Sequence, residues 1–168
     1  MANIKEIYLA GGCFWGTEAF MQRINGVIDA ESGYANGDTL NPTYQEVCKG
    51  SGHAEVVKVT YDAEKIALAK LLDYYFKVID PVSVNQQGED KGIQYRTGIY
   101  YVDPQDEPVV TQALSDLQAQ YSEKLAVENK MLEHYFPAEE YHQDYLDKNP
   151  NGYCHIDIQL MNEILKNQ

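Results

Sequence analysis

The sequence predicts an α/β (α+β) protein, a two-layer sandwich in which helices cover one face of a mixed β-sheet with a split β-α-β core. Strand-like and helix-like segments alternate in the order β-α-β-β-α-β-α-β, which is typical of such a sheet. The 168 residues form one predicted domain, residues 1–168, and 44% of them are hydrophobic, which suffices for a core. Two long loops interrupt the alternation, and loops of that length in a compact domain are usually functional.

The elements in the first half of the chain follow from the period of the apolar residues. Between Thr17 and Ile24 these residues have the spacing of a helix, and an Asn-Gly pair ends it. The β-branched run at residues 54–61 has the composition of a buried strand. The predicted elements are a strand at residues 4–10, a helix at 17–24, a strand at 27–34, a long loop at 36–53 and a strand at 54–61.

The second half of the chain begins with an amphipathic helix, in which Leu68, Leu72 and Ile79 lie on one stripe. An Asn-Pro-Asn-Gly turn separates the last helix from the rest, and residues 147–168 form a predicted C-terminal tail. The predicted elements are a helix at residues 66–79, a long loop at 80–95, a strand at 97–102, a helix at 108–122, a strand at 125–132, and helices at 138–146 and 158–166.

The charge balance of the chain is strongly acidic, with 13 basic and 26 acidic side chains and a formal net charge of −13. Such a surface repels the phosphates of nucleic acids and anionic lipids, so neither is an expected partner. No apolar run approaches the roughly 18 residues that span a bilayer, and the first residues lack the pattern of an export signal. We therefore predict a cytoplasmic protein, and a monomer because the chain is one acidic domain.

Cys13 stands where the first strand ends and the first helix begins, within Gly-Cys-Phe-Trp-Gly. The unpaired N–H groups and the dipole of a helix N-terminus favour a thiolate, so Cys13 is a candidate nucleophile. The alternative is a small buried core cysteine. A phosphate-binding loop is excluded because the glycine spacing is wrong and because Phe14 and Trp15 would obstruct a pyrophosphate.

Glu55 lies near the start of the predicted strand at residues 54–61. With a strand period of two, it shares the more apolar, core-directed face with Val57 and Val59. A desolvated carboxyl group prefers its neutral form, so we expect Glu55 to have a raised pKa and to donate a proton near neutral pH. The alternative is a solvated carboxylate at the frayed start of the strand.

The chain has three cysteines, an odd number that does not fit a disulfide scaffold. Cys154 follows the Asn-Pro-Asn-Gly turn, from which it can reach a partner sulfur, and the alternative is an incidental exposed thiol. Cys48 has neither a helix N-terminus nor an aromatic pair beside it, and we interpret it as a packing residue. No two cysteines have the spacing of zinc ligands, and Glu139 and His142 give only one copy of a Glu-x-x-His pair, so no metal site is predicted.

Short motifs follow one another in a fixed order along residues 4–156. They are Gly12-Cys13-Phe14-Trp15-Gly16, Gly33-Tyr34, Asn41-Pro42-Thr43-Tyr44, Gly52-His53-Ala54-Glu55, Gln94-Tyr95-Arg96, Tyr141-His142-Gln143 and Asn149-Pro150-Asn151-Gly152-Tyr153-Cys154. Together they closely resemble the methionine sulfoxide reductase A family, the peptide-methionine (S)-S-oxide reductases. The resemblance covers almost the whole chain, and it implies the same two-layer sandwich with a ferredoxin-like split β-α-β core and long active-site loops.

The resemblance implies an oxidoreductase that reduces free and protein-bound methionine S-sulfoxide to methionine, and so repairs oxidised proteins under oxidative stress. Cys13 would be the nucleophile, Glu55 the acid and Cys154 the resolving cysteine. Cys13 would become a sulfenic acid and then form a disulfide with Cys154, which thioredoxin would reduce. The sequence has no further cysteine after Cys154, which favours this simple pair. No metal and no bound cofactor are expected.

The resemblance also implies the make-up of a substrate pocket. Tyr44 and Tyr95 would bind the sulfoxide oxygen, and Asp90 would be a polar pocket residue. Phe14 and Trp15 would hold the S-methyl group, whose burial is worth roughly 0.8 kcal/mol. Reduced methionine lacks the oxygen and would leave polar groups of the pocket unpaired, so we expect the product to leave readily.

Two other classes of function are compatible with the residues alone. A thiol peroxidase or redox relay would use the same pair of cysteines, although Glu55 and the Phe-Trp pair argue against it. A non-catalytic binding module would instead use the acidic surface and the 14 tyrosines.

Overall fold

The computed structural model describes residues 3–149, 152, 156 and 158–166 and follows the predicted alternation of strands and helices. The strands are β1 (Ile4–Gly11), β2 (Val27–Ala35), β3 (Ala54–Asp62), β4 (Gln86–Gln87), β5 (Asp90–Lys91), β6 (Thr97–Tyr101), β7 (Glu128–Met131) and β8 (Tyr135–Pro137). The helices are α1 (Phe14–Gln22), α2 (Tyr44–Cys48), α3 (Leu68–Phe76), α4 (Glu107–Gln118), α5 (Tyr145–Lys148) and α6 (Ile158–Lys166). None of the helices that the structure describes is long and apolar enough to cross a membrane.

A six-stranded sheet carries the fold, in the order β7-β6-β1-β3-β2-β8. β3 lies between β1 and β2 and pairs antiparallel with both, so β1-α1-β2 is a split β-α-β unit. β6 pairs antiparallel with β1, whereas β7 pairs parallel with β6, which makes the sheet mixed. The central order β6-β1-β3-β2 is that of a ferredoxin-like core. The predicted fold class is confirmed.

The main core lies between the sheet and helices α1 and α3. Phe20 of α1 and Leu72 of α3 pack in one cluster with Val57 of β3, and all three are fully buried. Alternate residues of the same strands, among them Tyr8 and Val56, form a smaller buried cluster on the opposite face of the sheet. The strand period therefore decides which side chains of β3 meet α1.

The turn between β1 and α1 places Cys13 at the start of α1. Gly12 has a φ of 87°, a left-handed conformation that favours glycine. Next to the turn, the buried hydroxyl of Tyr75 donates to the Ala10 carbonyl at 2.5 Å and accepts the Gly98 N–H at 3.2 Å. Tyr75 therefore joins α3 to both β1 and β6 beside the residue that carries the thiol.

The predicted helix at residues 138–146 is wrong. β8 ends just before this segment, a single 3-10 turn at Glu140–His142 follows, and α5 comes after it. The side-chain amide of Gln143 donates to the Ser32 carbonyl at 2.8 Å, and Asp144 has a left-handed φ of 53°. These contacts take the place of helical hydrogen bonds, so no continuous helix forms over residues 138–146.

The two long loops contain short elements that the sequence analysis missed. Thr43 caps α2, because its hydroxyl accepts the Glu46 N–H at 3.2 Å while the Glu46 carboxylate accepts the Thr43 N–H at 3.1 Å. This Thr-x-x-Glu capping box is a sequence signal that could have identified the helix. In the second loop, β4 and β5 form a small hairpin, and a 3-10 turn leads into β6.

We expect Tyr75→Phe to lower the free energy of unfolding by about 1–3 kcal/mol, because it leaves the Ala10 carbonyl and the Gly98 N–H without their buried partner. Urea unfolding followed by circular dichroism measures the change. Tyr74→Phe on the same helix is the matched control, since the ring of Tyr74 packs edge-on against Phe20 and is retained as phenylalanine. Equal losses in the two variants would contradict the role assigned to the Tyr75 hydroxyl.

Candidate active site

Cys13 occupies the N-cap position of α1, at the end of the strand–turn segment. Its side chain is buried, with 7% of its surface exposed. The positive end of the helix favours a thiolate over a thiol at this position. Cys13 is therefore buried and also lies at the predicted helix N-terminus, and its role as a nucleophile stays a prediction.

Glu55 lies on the core-directed face of β3, as the strand period predicted, and its carboxyl group reaches the start of α1. Its side chain is 1% exposed, and Oε1 accepts the Phe14 N–H at 3.2 Å. Burial raises the pKa of Glu55 to about 8; the bond from Phe14 opposes this shift, and the charge of Asp90 adds to it. The alternative of a solvated carboxylate is therefore wrong. Because Oε2 has no hydrogen-bond partner among the residues that the structure describes, it is the oxygen that can carry the proton of the neutral acid.

Two half-buried tyrosines approach the same carboxyl group from the two long loops, Tyr44 at the start of α2 and Tyr95 just before β6. Burial raises the pKa of both phenols far above their ordinary value, and the charge of Glu55 raises them further. The charges of Cys13 and Asp90 also act on Tyr95, so these groups lie within electrostatic range of one another. The phenols therefore stay protonated near neutral pH and can donate hydrogen bonds.

The two aromatic residues after Cys13 are placed differently. Phe14 is 1% exposed and belongs to the main core, with its ring centroid 5.7 Å from that of Tyr34. Trp15 is half-buried and stacks on Tyr145, with 3.8 Å between ring centroids and 10° between ring planes. Of the two predicted walls of the pocket, Trp15 is the more accessible.

The predictions for the other two cysteines, Cys154 and Cys48, compare differently with the structure. Cys154 lies outside the described residues, so its resolving role stays a prediction. Cys48 is exposed, which makes its interpretation as a packing residue wrong. α2 places it one helical turn from Tyr44; burial raises the pKa of the Cys48 thiol, and the Tyr44 hydroxyl opposes this shift.

Residues 139–145 support the site, a role that the sequence analysis did not assign. Glu139 accepts the backbone N–H of Tyr44 at 3.0 Å, which fixes the start of α2. His142 accepts the indole N–H of Trp15 at 3.0 Å. The Tyr-His-Gln motif was the available signal in the sequence, but no period or spacing connected it with Trp15.

The structure thus brings together a cysteine at a helix start, a neutral carboxylic acid and two phenols. In such a site the cysteine sulfur can attack an electrophilic atom, while the acid and the phenols donate a proton or hydrogen bonds to an oxygen on which negative charge develops. In the described part of the chain, no cluster of three or more His, Cys, Asp or Glu side chains is placed to hold a metal ion. Together with the α/β fold, these groups point to an oxidoreductase.

Comparison with known proteins identifies the family. The family described as peptide methionine sulfoxide reductase matches residues 5–168. The chain belongs to this family, and its enzymatic reaction is the reduction of methionine sulfoxide.

Curated members of the family align with this chain over most of their length. The chain is 56% identical over 153 residues to the peptide methionine sulfoxide reductase MsrA of Lachnoclostridium phytofermentans, covering 90% of this chain and 92% of the relative. It is also 56% identical over 156 residues to MsrA of Clostridium perfringens (strain ATCC 13124), covering 92% of this chain and 99% of the relative.

Solved structures have the same fold. Mxr1 from Saccharomyces cerevisiae in its reduced form has a TM-score of 0.85 and 39% identity, covering 90% of this chain and 88% of Mxr1. Mxr1 in complex with Trx2 has a TM-score of 0.61 and 24% identity, covering 84% of each chain.

We expect Glu55→Gln to gain stability relative to the wild type as the pH rises from about 5 to 8. The pKa of Glu55 is raised from 4.5 to about 8, so the unfolded chain releases this proton while the folded chain keeps it. The wild type therefore loses free energy of unfolding as the pH rises through this range, by an amount on the order of 5 kcal/mol, whereas the glutamine variant does not. Urea unfolding of both proteins at several pH values measures the difference, and parallel curves would contradict the buried neutral acid.

Proposed function

We propose that this enzyme reduces free and protein-bound methionine S-sulfoxide to methionine through a cycle of Cys13 and Cys154, and so repairs oxidised proteins. Membership in the family supports the reaction, and the preference for the S epimer is taken from the family. One observation in this chain carries the proposal: the neutral Glu55 carboxyl bonds to the backbone N–H of Phe14, directly beside Cys13. A sulfoxide at this point can present its sulfur to the thiolate and its oxygen to the acid.

In the first step, the Cys13 thiolate attacks the sulfoxide sulfur. This attack forms a bond between the two sulfur atoms while Glu55 gives its proton to the sulfoxide oxygen. The bond between the substrate sulfur and that oxygen breaks, and the oxygen binds the sulfur of Cys13 as a hydroxyl group. The bond between the two sulfur atoms then breaks, and its electron pair goes to the substrate sulfur. The substrate sulfur gains two electrons and the sulfur of Cys13 loses them, which gives methionine and a sulfenic acid. The proton is needed because a sulfoxide sulfur is a poor electrophile until its oxygen is protonated or strongly hydrogen-bonded.

The other site residues recognise the two small groups on the substrate sulfur. Tyr44 and Tyr95 donate hydrogen bonds to the oxygen, which they can do because their high pKa values keep them protonated. Asp90 is a polar residue of the same pocket, while Phe14 and Trp15 form aromatic walls for the S-methyl group. Exchanging oxygen and methyl would put each group in the wrong half of the pocket, which is a physical basis for discrimination between sulfoxide epimers.

In the second step, Cys154 attacks the sulfur of the Cys13 sulfenic acid. The bond between sulfur and oxygen breaks, the oxygen leaves as water, and a disulfide forms, so the two thiols have supplied both electrons. Residues 147–168 act in this proposal as the tail that carries Cys154. Because all electrons come from sulfur, the cycle uses neither a metal nor a bound cofactor.

An external dithiol must reopen the disulfide by exchange. Yeast Mxr1 has been solved in complex with Trx2, and we propose a thioredoxin as the reductant of this enzyme. We further propose that the enzyme works as a monomer in the cytoplasm, where thiols are kept reduced.

We expect Cys13→Ser to abolish reduction of methionine S-sulfoxide, because serine cannot supply the two electrons. Cys154→Ser should release one equivalent of methionine per enzyme and then stop, even with thioredoxin, because no disulfide forms for thioredoxin to reduce. Quantification of methionine by chromatography distinguishes these results.

Mass spectrometry of the intact enzyme after one exposure to methionine sulfoxide without reductant completes the test. The wild type and Cys48→Ser should both contain a link between Cys13 and Cys154. Multiple turnovers by Cys13→Ser with thioredoxin would remove Cys13 from its role, and a link between Cys13 and Cys48 would contradict the role of Cys154.

We expect the rate of sulfoxide reduction by the wild type to fall as the pH rises through about 8, because Glu55 loses its proton there. Glu55→Gln keeps a hydrogen-bond donor but cannot transfer a proton, so its rate at pH 7 should be lower by a factor on the order of 100. The variant should also lack the decline above pH 8. Single-turnover rates measured between pH 6 and 10 test this, and a decline in both proteins would assign it to another group.

A further inference from the structure

The indole of Trp15 is held on two sides by one segment of the chain, residues 142–145. Its Nε1–H donates to Nδ1 of His142 at 3.0 Å. Tyr145 stacks on its face, with 3.8 Å between ring centroids. Trp15 is the single tryptophan of the chain, so its surroundings can be observed without interference.

His142 is itself fixed among aromatic rings. It is 1% exposed, and its ring centroid lies 4.4 Å from that of Tyr44, 4.2 Å from that of Tyr141 and 5.2 Å from that of Phe14. Burial lowers the pKa of His142, although the charge of Glu139 opposes the shift, so the ring is neutral near pH 7. Because Nδ1 accepts the indole N–H, the single proton of the neutral ring lies on Nε2.

Polar contacts anchor this segment to the rest of the fold. Glu18 of α1 accepts the backbone N–H of Asp144 at 2.8 Å, and Gln143 donates to a carbonyl of β2 at 2.8 Å. His142 and Tyr145 therefore meet the indole from a backbone that is tied to both α1 and the sheet.

We propose that His142 is a positioning residue, which fixes the orientation of the Trp15 indole within its own plane through their hydrogen bond and thereby shapes the wall that takes the S-methyl group of the substrate. The proposal rests on the proposed function, in which Trp15 forms that wall. Stacking on Tyr145 lets the indole slide and turn within its own plane, whereas the bond to His142 fixes its edge. His142 acts through Trp15 on substrate binding, so its loss changes KM more than kcat.

The kinetic test compares the wild type with two variants. His142→Leu removes the acceptor, whereas His142→Asn offers a side-chain oxygen close to the position of Nδ1. With free methionine sulfoxide, we expect His142→Leu to raise KM roughly tenfold, the effect of one lost buried hydrogen bond, and to change kcat less than about threefold. His142→Asn should bring KM back to within about threefold of the wild type. His134→Leu is the control, because the ring of His134 packs against Phe136 and not against Trp15.

Two further measurements do not need enzymatic activity. In His142→Leu, we expect the tryptophan emission to shift to longer wavelength and acrylamide to quench it more strongly, because the released indole turns toward water. In the wild type labelled with ¹⁵N-tryptophan, the single indole N–H should exchange slowly with deuterium, because it is bonded to a buried acceptor.

Each result decides the proposal. Unchanged tryptophan emission and unchanged KM in His142→Leu would overturn it. A lower kcat and a lower melting temperature at unchanged KM would also overturn it, because His142 would then only stabilise the fold. Fast exchange of the indole N–H in the wild type would overturn it without any variant. A wild type that does not reduce methionine sulfoxide would remove the proposed function and the pocket wall, while emission and exchange would still show whether His142 fixes the indole.

Discussion

The hydrogen bond between the Phe14 N–H and Glu55 is the interaction on which the site depends. At 3.2 Å it joins the first turn of α1 to β3, and so fixes the carboxyl group beside the residue that carries the thiol. A carboxyl group with 1% exposure is far more stable there as a neutral acid than as an unpaired anion. The burial that fixes the geometry of the site therefore also supplies its proton.

The part of the site that lies on regular elements could be predicted from the sequence, because the periods of strands and helices are local. Alternation along β3 indicated that Glu55 shares a face with Val57, and both are buried against α1. Paired glycines between a strand and a helical run indicated that Cys13 begins α1. The bounds of α6, residues 158–166, also agree with the predicted ones.

The part held by contacts between distant residues could not be predicted in this way. Residues 138–146 have a helical pattern, but Gln143 bonds to Ser32, 111 positions away, and that bond outweighs the local ones. His142 and Trp15 are 127 positions apart, so no pattern along the chain connects them. α2 differs, because its capping box is local and the sequence did contain the signal.

The different proton affinities of the acid and the phenols divide their tasks in the proposed reaction. The pKa of Glu55, about 8, lets its proton leave near neutral pH as the sulfoxide oxygen gains charge. Burial raises the pKa values of Tyr44 and Tyr95 far higher, so the phenols share their protons as hydrogen bonds and keep them. Once Glu55 has become a carboxylate, its charge holds the phenol protons still more tightly. The site can therefore deliver one proton in each turnover while its other donors stay in place.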